Sequence, residues 1–237
     1  MLNFRLILNF NYPTAFNMAV DEMLLEAQAR GDAPTLRFYT WERPALSIGY
    51  FQKVDDFKRG PAGEGREIVR RITGGGMVPH GDDLTVSLVL RNPGPFLPRE
   101  PKASYLKIHE AMMAGLRDVH PAIDFADCKA VPSGRAAAAR ECFRRPVCHD
   151  LMLNGRKIAG GSQRRLGGAL LHQTSVQLEA DKGLLAGKVV DGFRRKWGIV
   201  FEERELSDAE TVRAGEIERA RYSSADWGFF LERSLAW

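Results

Sequence analysis

Three stretches of this 237-residue chain carry residue types that do chemistry. Cys142 stands among Arg140, Arg144 and Arg145. Neighbouring cations stabilise a thiolate and lower the thiol pKa, which makes the sulfur a nucleophile. Lys157 lies in Asn154-Gly-Arg-Lys-Ile-Ala-Gly-Gly-Ser-Gln163, just past a tight turn and just before Gly160 and Gly161. Glycines there let a substrate lie against the backbone, and an ammonium beside it can polarise a carbonyl and stabilise an oxyanion. The third stretch is Arg70-Arg-Ile-Thr-Gly-Gly-Gly-Met-Val-Pro-His80. Its N–H groups can form a nest for an anion or a carbonyl oxygen. It is neither a P-loop nor a dinucleotide fingerprint. Each stretch also has a plainer reading: a flexible glycine turn, a solvent-exposed lysine, a structural His80 or His172.

Cys128 and Cys148 read as small packing residues. A zinc site from Cys128, Cys142, Cys148 and His149 would lack any C-x-x-C pair, and the adjacent Cys148 and His149 are awkward joint ligands. No metal is expected. An odd number of cysteines, three, argues against a disulfide framework and for a reducing cytoplasm.

The elements that must hold these residues alternate. Residues 14–30 read as a helix with Phe16, Ala19, Val20, Met23, Leu24 and Ala27 on one stripe, stopped by Gly31. Strands are predicted over 35–41, 45–51, 67–72 and 84–91. The last alternates strictly, with Leu84, Val86, Leu88 and Leu90 on one side. Residues 102–119 read as a second helix. Residues 126–141 lack a period and read as a long loop. Asn154-Gly155 predicts a two-residue hairpin, because a type I′ turn needs positive φ at both central positions. That turn pairs Leu153 with Arg156 and Met152 with Lys157, with return strand 156–160 and a further strand over 170–178. Ser207 and Glu210 form a capping box, and the helix they start should end before Tyr222. Antiparallel turns flanked by helices suggest one α+β domain.

Composition sets outer limits. Hydrophobic residues make up 44% and charged residues 27%, values of a globular chain. No run approaches a membrane span, and the N-terminus does not read as a signal peptide. The formal charge is +4, too mild to imply nucleic acid. Residues 140–165 alone hold seven basic and two acidic side chains, a net +5 around Cys142 and Lys157.

Together these motifs resemble the biotin/lipoate ligase and lipoyl/octanoyl transferase superfamily. Arg70–His80 resembles its Arg-Arg-x-Thr-Gly-Gly-Gly-x-Val-x-His motif, Gly155–Arg164 its lysine motif, and Leu171-His172-Gln173-Thr174 its His-Gly-Thr/Ser segment. Phe16–Glu22, Leu36–Tyr39, Ser47–Gln52 and Tyr222–Trp227 extend the likeness over nearly the whole chain. The branch that moves octanoyl groups from acyl carrier protein to protein lysines is the most similar. It has a Cys-Phe pair, a proline four residues after the cysteine and a lysine fifteen after it, as do Cys142-Phe143, Pro146 and Lys157. Gln173 departs from the usual glycine, Gly161-Ser162 from a more common Ser-Ala, and Pro79 and Gly81 flank His80 unusually.

The resemblance implies a single catalytic domain over residues 1–237, like class II synthetases and biotin ligases, with a largely antiparallel sheet and no separate C-terminal ligase domain. It implies a ping-pong acyl transfer in the cytoplasm. The donor is octanoyl-acyl carrier protein, and the acceptor a lysine of a lipoyl domain or glycine-cleavage H protein. Neither nucleic acid nor membrane is a partner. Cys142 would carry the acyl group and Lys157 would hold its carbonyl. Arg71, Thr73, Gly74, Gly75, Gly76, His80, Gly160, Gly161, Ser162, Gln163 and His172 would shape the substrate site. No cofactor is implied for the transfer. The rivals are an ATP- and Mg2+-dependent lipoate-protein ligase, an amidotransferase between lipoyl domains, and a catalytically silent acyl- or carrier-binding subunit. Cys142 separates transferase from ligase, since small ligases of this length lack the Cys-Phe pair.

Overall fold

The computed structural model describes residues 3–58, 63–129, 145–224 and 227. The candidate nucleophile Cys142 and most of the expected 126–141 loop lie outside the described residues. In chain order the elements are β1 (Asn3–Tyr12), α1 (Thr14–Arg30), β2 (Thr35–Trp41), β3 (Ala45–Ile48), α2 (Asp55–Lys58), β4 (Glu67–Arg70), β5 (Val78–His80), β6 (Leu84–Arg91) and α3 (Pro101–Leu116). Then come β7 (Asp124–Phe125), β8 (Leu151–Leu153), β9 (Arg156–Leu166), β10 (Ala169–Val176), α4 (Lys182–Trp197), β11 (Val200–Glu203), α5 (Asp208–Ile217) and a π-helical turn, Glu218–Tyr222.

Eight strands form one sheet in the order β11-β1-β2-β6-β10-β9-β8-β7. Only β11-β1 and β1-β2 run parallel, so the sheet is largely antiparallel as expected. The period-2 pattern of β6 explains its central place. Leu84, Val86, Leu88 and Leu90 enter one core with Ile108 and Met112 of α3 and Val189 and Phe193 of α4. Val89 enters the other, with Met18 and Met23 of α1 and Ala214 and Ile217 of α5. Helices thus cover both faces. A second sheet, β4-β3-β5, carries its own small cluster of Leu46, Ile48, Val54 and Phe57.

Helix α1 stops where Gly31 takes φ 113° and returns its N–H to Ala27 and Gln28. Its buried side is wider than one apolar stripe, because Asn17, Asp21 and Glu22 are buried too. Strand β3 stops at Ile48, short of the expected 51. The chain turns there, with Gln52 N–H donating to the Gly49 carbonyl at 3.0 Å. The Asn154-Gly155 hairpin forms as predicted: φ is 51° and 77°, Leu153 pairs with Arg156 and Met152 with Lys157. Its return strand runs on to Leu166, past the expected 160, because β10 pairs with residues 159–166 of it. The capping box at Ser207 and Glu210 is present, but the α-helix ends at Ile217 and Tyr222 closes the π-helical turn. Among the described residues no helix is long and apolar enough to cross a membrane.

The cysteine expectation is corrected. Cys128 and Cys148 form a disulfide, and neither is a buried packing residue. Strands β7 and β8 pair Asp124 with Met152 and Phe125 with Leu151. The ladder ends there, and turns at 128–129 and 148–149 then bring the two sulfurs together. An odd count says nothing about such a pairing, because the fold and not the tally brings the sulfurs together.

Candidate active site

A cavity of about 300 Å³ opens between the two sheets. One wall comes from β3, β5 and the glycine loop (Ser47, Arg71, Gly74, Gly75, Gly76, Val78, His80), the other from β9 and β10 (Lys157, Gly160–Gln163, Gln173–Ser175). Of the residues expected at a site, ten line this one cavity: Arg71, Gly74, Gly75, Gly76, His80, Lys157, Gly160, Gly161, Ser162 and Gln163. Thr73 and His172 sit immediately behind them, both buried.

The glycine loop is fastened by Arg71. Its guanidinium donates to the Gly74 and Gly76 carbonyls at 2.9 Å each, and to the carbonyl and hydroxyl oxygens of Ser47 at 2.8 Å each. A planar fork of donors suits this cluster of oxygens. Gly75 has φ 85°, and its carbonyl packs so closely on Gly49 that a Cβ on Gly49 would collide with it. Thr73 is the hinge of a buried chain of hydrogen bonds. Ser162 Oγ donates to Thr73 Oγ1 at 2.9 Å, Thr73 to Gln173 Oε1 at 2.7 Å, and Gln173 Nε2 to Asp21 Oδ2 at 2.7 Å. Asp21 also receives Tyr39 OH, Ser87 Oγ and the Arg37 guanidinium, the last as a 2.7 Å ion pair with both side chains 0% exposed. Burial, and then the Asp21 carboxylate, push the Tyr39 hydroxyl well above its usual pKa, so it keeps the proton it donates. Gln173 thus fills a glycine position with a side chain that ties the cavity floor to the core.

His80 faces Ser47 Oγ at 2.7 Å through Nε2 and Asp83 Oδ2 at 2.8 Å through Nδ1, and it stacks on Trp41. Burial raises the Asp83 pKa, but the His80 partner and hydrogen bonds from His80, Ser175 and Gly81 outweigh it, so the carboxyl lies below its usual value. His80 therefore braces the wall.

On the opposite wall Lys157 Nζ lies 2.8 Å from Asp150 Oδ2, with the carboxylate fully buried. The β8–β9 ladder has a bulge: Met152 pairs with Lys157, but Leu151 pairs with Ala159. The extra residue brings Gly160 beside Asp150. A Cβ at Gly160 would strike Lys157 Cε and Nζ and stand 3.0 Å from Asp150 Oδ1, so the lysine reaches its partner only across a glycine. Tyr105 of α3 completes the arrangement. Its hydroxyl donates to Asp150 Oδ1 at 2.5 Å and accepts the Gly161 N–H at 2.9 Å. Burial and the neighbouring Asp150 hold the Tyr105 hydroxyl well above its usual pKa, which preserves it as a donor.

His172 receives Gln163 Nε2 at 3.1 Å on Nδ1. Its Nε2 and Thr174 Oγ1 are buried without a hydrogen-bond partner, and both lie within 2.8 Å of where a Gly161 Cβ would stand. Burial first, then His109 and Arg165, lower the His172 pKa well below 6.5, so the ring is neutral. The basic stretch 140–165 divides. Lys157 serves the cavity, Arg165 donates to Asn92 at 3.1 Å and Ser104 at 2.9 Å, and Arg145, Arg156 and Arg164 face solvent. Arg140 and Arg144 lie outside the described residues.

Asp150, Tyr105, Asp21 and Asp83 are absent from the residues expected at the site. For Asp150 a signal existed, since a hairpin that pairs Met152 with Lys157 also directs residue 150 to the lysine's face. Tyr105 reads in sequence only as one position of an apolar helix face.

The chain matches the lipoyl protein ligase A/B catalytic domain over residues 13–199. It is 30% identical to octanoyltransferase LipM of Moorella thermoacetica, covering 89% of this chain and 92% of that protein. It is 36% identical to octanoyltransferase LipM of Carboxydothermus hydrogenoformans, covering 90% and 84%. Among solved structures it resembles lipoate-protein ligase A bound with ATP, with TM-score 0.77 and 23% identity over 96% of this chain and 98% of that one. It also resembles protein Ta0514 of T. acidophilum with bound lipoic acid, with TM-score 0.79 and 22% identity over the same shares. These two establish the fold, and the family model covers most of the chain and its glycine and lysine motifs. The chain belongs to the lipoyl protein ligase A/B catalytic domain family.

Proposed function

We propose that the protein is an octanoyltransferase of protein lipoylation, moving an octanoyl group from acyl carrier protein through Cys142 to a lipoyl-domain lysine in the cytoplasm. The observation that carries this reading is the Lys157 ammonium, held by buried Asp150 over glycine backbone in the cavity. The relatives' shared name, octanoyltransferase, supports the acyl class. The Cys142–Lys157 spacing supports the transferase over the ligase.

In the first half-reaction the Cys142 thiolate attacks the octanoyl carbonyl carbon. The oxygen takes the negative charge, which the Lys157 ammonium offsets. The bond to the carrier's sulfur breaks, and that thiol leaves with a proton. In the second half-reaction a neutral acceptor amine attacks the Cys142 thioester, the amide forms, and the thiolate is released as the amine sheds a proton. Asp150 and Tyr105 position the lysine and the Gly161 amide. No step needs ATP or a metal.

Incubation with octanoyl-acyl carrier protein, without ATP, should add one octanoyl mass to Cys142, and the adduct should pass to a lipoyl-domain lysine. Cys142→Ala should abolish both. Transfer that starts from free octanoate or lipoate and requires ATP, with no adduct, would establish the ligase instead.

A further inference from the structure

We propose that Cys128, Cys148 and His149 form a site for a soft divalent cation of the zinc class once the two cysteines are reduced, the disulfide being the oxidised, metal-free form of the same site. The two sulfurs and His149 Nδ1 all lie within 4.8 Å of one another. Cys128 Sγ and His149 Nδ1 are 3.9 Å apart. Tetrahedral zinc with sulfur at about 2.3 Å and nitrogen at about 2.0–2.1 Å spans about 3.6 Å between those donors. One edge of the coordination figure is therefore nearly in place. The sulfurs need only part from bonding distance to about 3.8 Å to complete it.

The sequence objection was that adjacent residues make poor joint ligands, because their side chains point apart in an extended chain. Here the chain is not extended. The Asp150 N–H donates to the Val147 carbonyl at 3.0 Å, so Cys148 and His149 are the central pair of a four-residue turn. His149 has φ 72°. A turn with positive φ at its third position normally takes glycine there. An imidazole in that position is a local cost, with an edge-on contact to Phe125 as its ring packing. The turn is further pinned by a 2.8 Å hydrogen bond between His109 Nδ1 and the His149 carbonyl. Opposite it, Cys128 stands in a second turn with a Cα–Cα distance of 4.5 Å to Cys148.

The chemistry balances. A thiol reductant supplies two electrons, the S–S bond breaks, and each sulfur takes an electron and a proton. The cation then displaces both thiol protons and takes two thiolates and a neutral imidazole, leaving a fourth position for water. Two thiolates suit zinc among the divalent ions. Either state fastens residues 128 and 148 together, on the two sides of the segment that contains Cys142. The site is separate from Lys157 and does not depend on the octanoyl reading.

The test uses the full chain, reduced with a phosphine, stripped of metal and titrated with Co2+ and then Zn2+. One equivalent of Co2+ should give thiolate-to-metal charge-transfer and tetrahedral ligand-field bands. Zn2+ should displace it, and two titratable thiols should disappear. Cys128→Ser, Cys148→Ser and His149→Ala should each lose the bands, whereas Cys142→Ser should keep them. The oxidised wild-type chain, whose fold is not in question, should bind none. Absence of the bands in the reduced wild type, their survival in His149→Ala, or their loss in Cys142→Ser overturns the proposal. A disulfide that excess phosphine cannot open makes the cluster a covalent clasp only, which also overturns it.

Discussion

The two walls of the cavity are held by different means. The glycine-loop wall hangs from a buried network in which Arg71 grips four oxygens, and Thr73, Gln173, Asp21 and Arg37 link the glycine loop, β10, α1 and β2. The lysine wall depends on one ion pair across a bulged hairpin, with Tyr105 as its brace. The first is redundant, so its loss is felt as stability. The second is singular, and its loss should be felt first as rate, with a stability cost from the buried Asp150 left without its cation. Shape is assigned to one wall and charge to the other.

The largest test of the contrast is Arg37→Met, which strands Asp21 in the core. Breaking one partner of a buried pair costs about 3–5 kcal/mol, and urea denaturation should report it. A loss under about 1 kcal/mol would mean that the network is not what holds the glycine wall. Lys157→Ala should lower octanoyl transfer about 10²–10³-fold, the scale of one lost oxyanion donor, and should also lower the denaturation midpoint, because it leaves the buried Asp150 carboxylate without its cation. Gly160→Ala is a finer probe of the same wall. The nearest atoms to its methyl are the flexible end of Lys157 and the Asp150 carboxylate. It should fold, displace the ammonium, and slow transfer by about 10–100-fold, since a misplacement near 1 Å can cost up to that much. Unchanged kinetics would remove the glycine gap from the mechanism.

Smaller effects sharpen the boundary between the walls. Gln173→Ala cuts the link between Thr73 and Asp21 and should cost about 1–2 kcal/mol, seen as a lower urea midpoint. A change in the preferred acyl length without that cost would reassign Gln173 from bracing to substrate selection. His172 gives the smallest signal. Its folded pKa is depressed, so above about pH 6.5 neither state binds the proton. Below that the unfolded chain takes it and the native ring does not, so stability falls as pH falls. His172→Gln should remove up to about 1.4 kcal/mol of the loss between pH 6.5 and 5.5. Parallel pH profiles for variant and wild type would show that the ring is not held neutral.

Strong local signals proved legible. Asn154-Gly155 alone dictates positive φ at two residues, and that sets the register of Lys157. The alternation over residues 84–91 and the Ser207–Glu210 box were equally local, and all were found where expected. The glycine, lysine and His172 motifs, 98 residues apart from Thr73 to Leu171 in sequence, could be grouped only by family resemblance. Nothing local says that Arg71 would spend its donors on the loop, or that the carboxylate which the hairpin turns toward Lys157 would be fully buried.

What the sequence by itself determined, then, is the type and direction of its chief elements and the identity of the chemical groups. Turn dihedrals, caps and hydrophobic period are properties of a few neighbouring residues and need no partner. Only the tertiary structure decided which groups meet. The joining of Cys128 to Cys148 and the bridge of Gln173 between Thr73 and Asp21 each depend on contacts between distant stretches of chain. A one-residue slip of β10 would turn Gln173 to the other face.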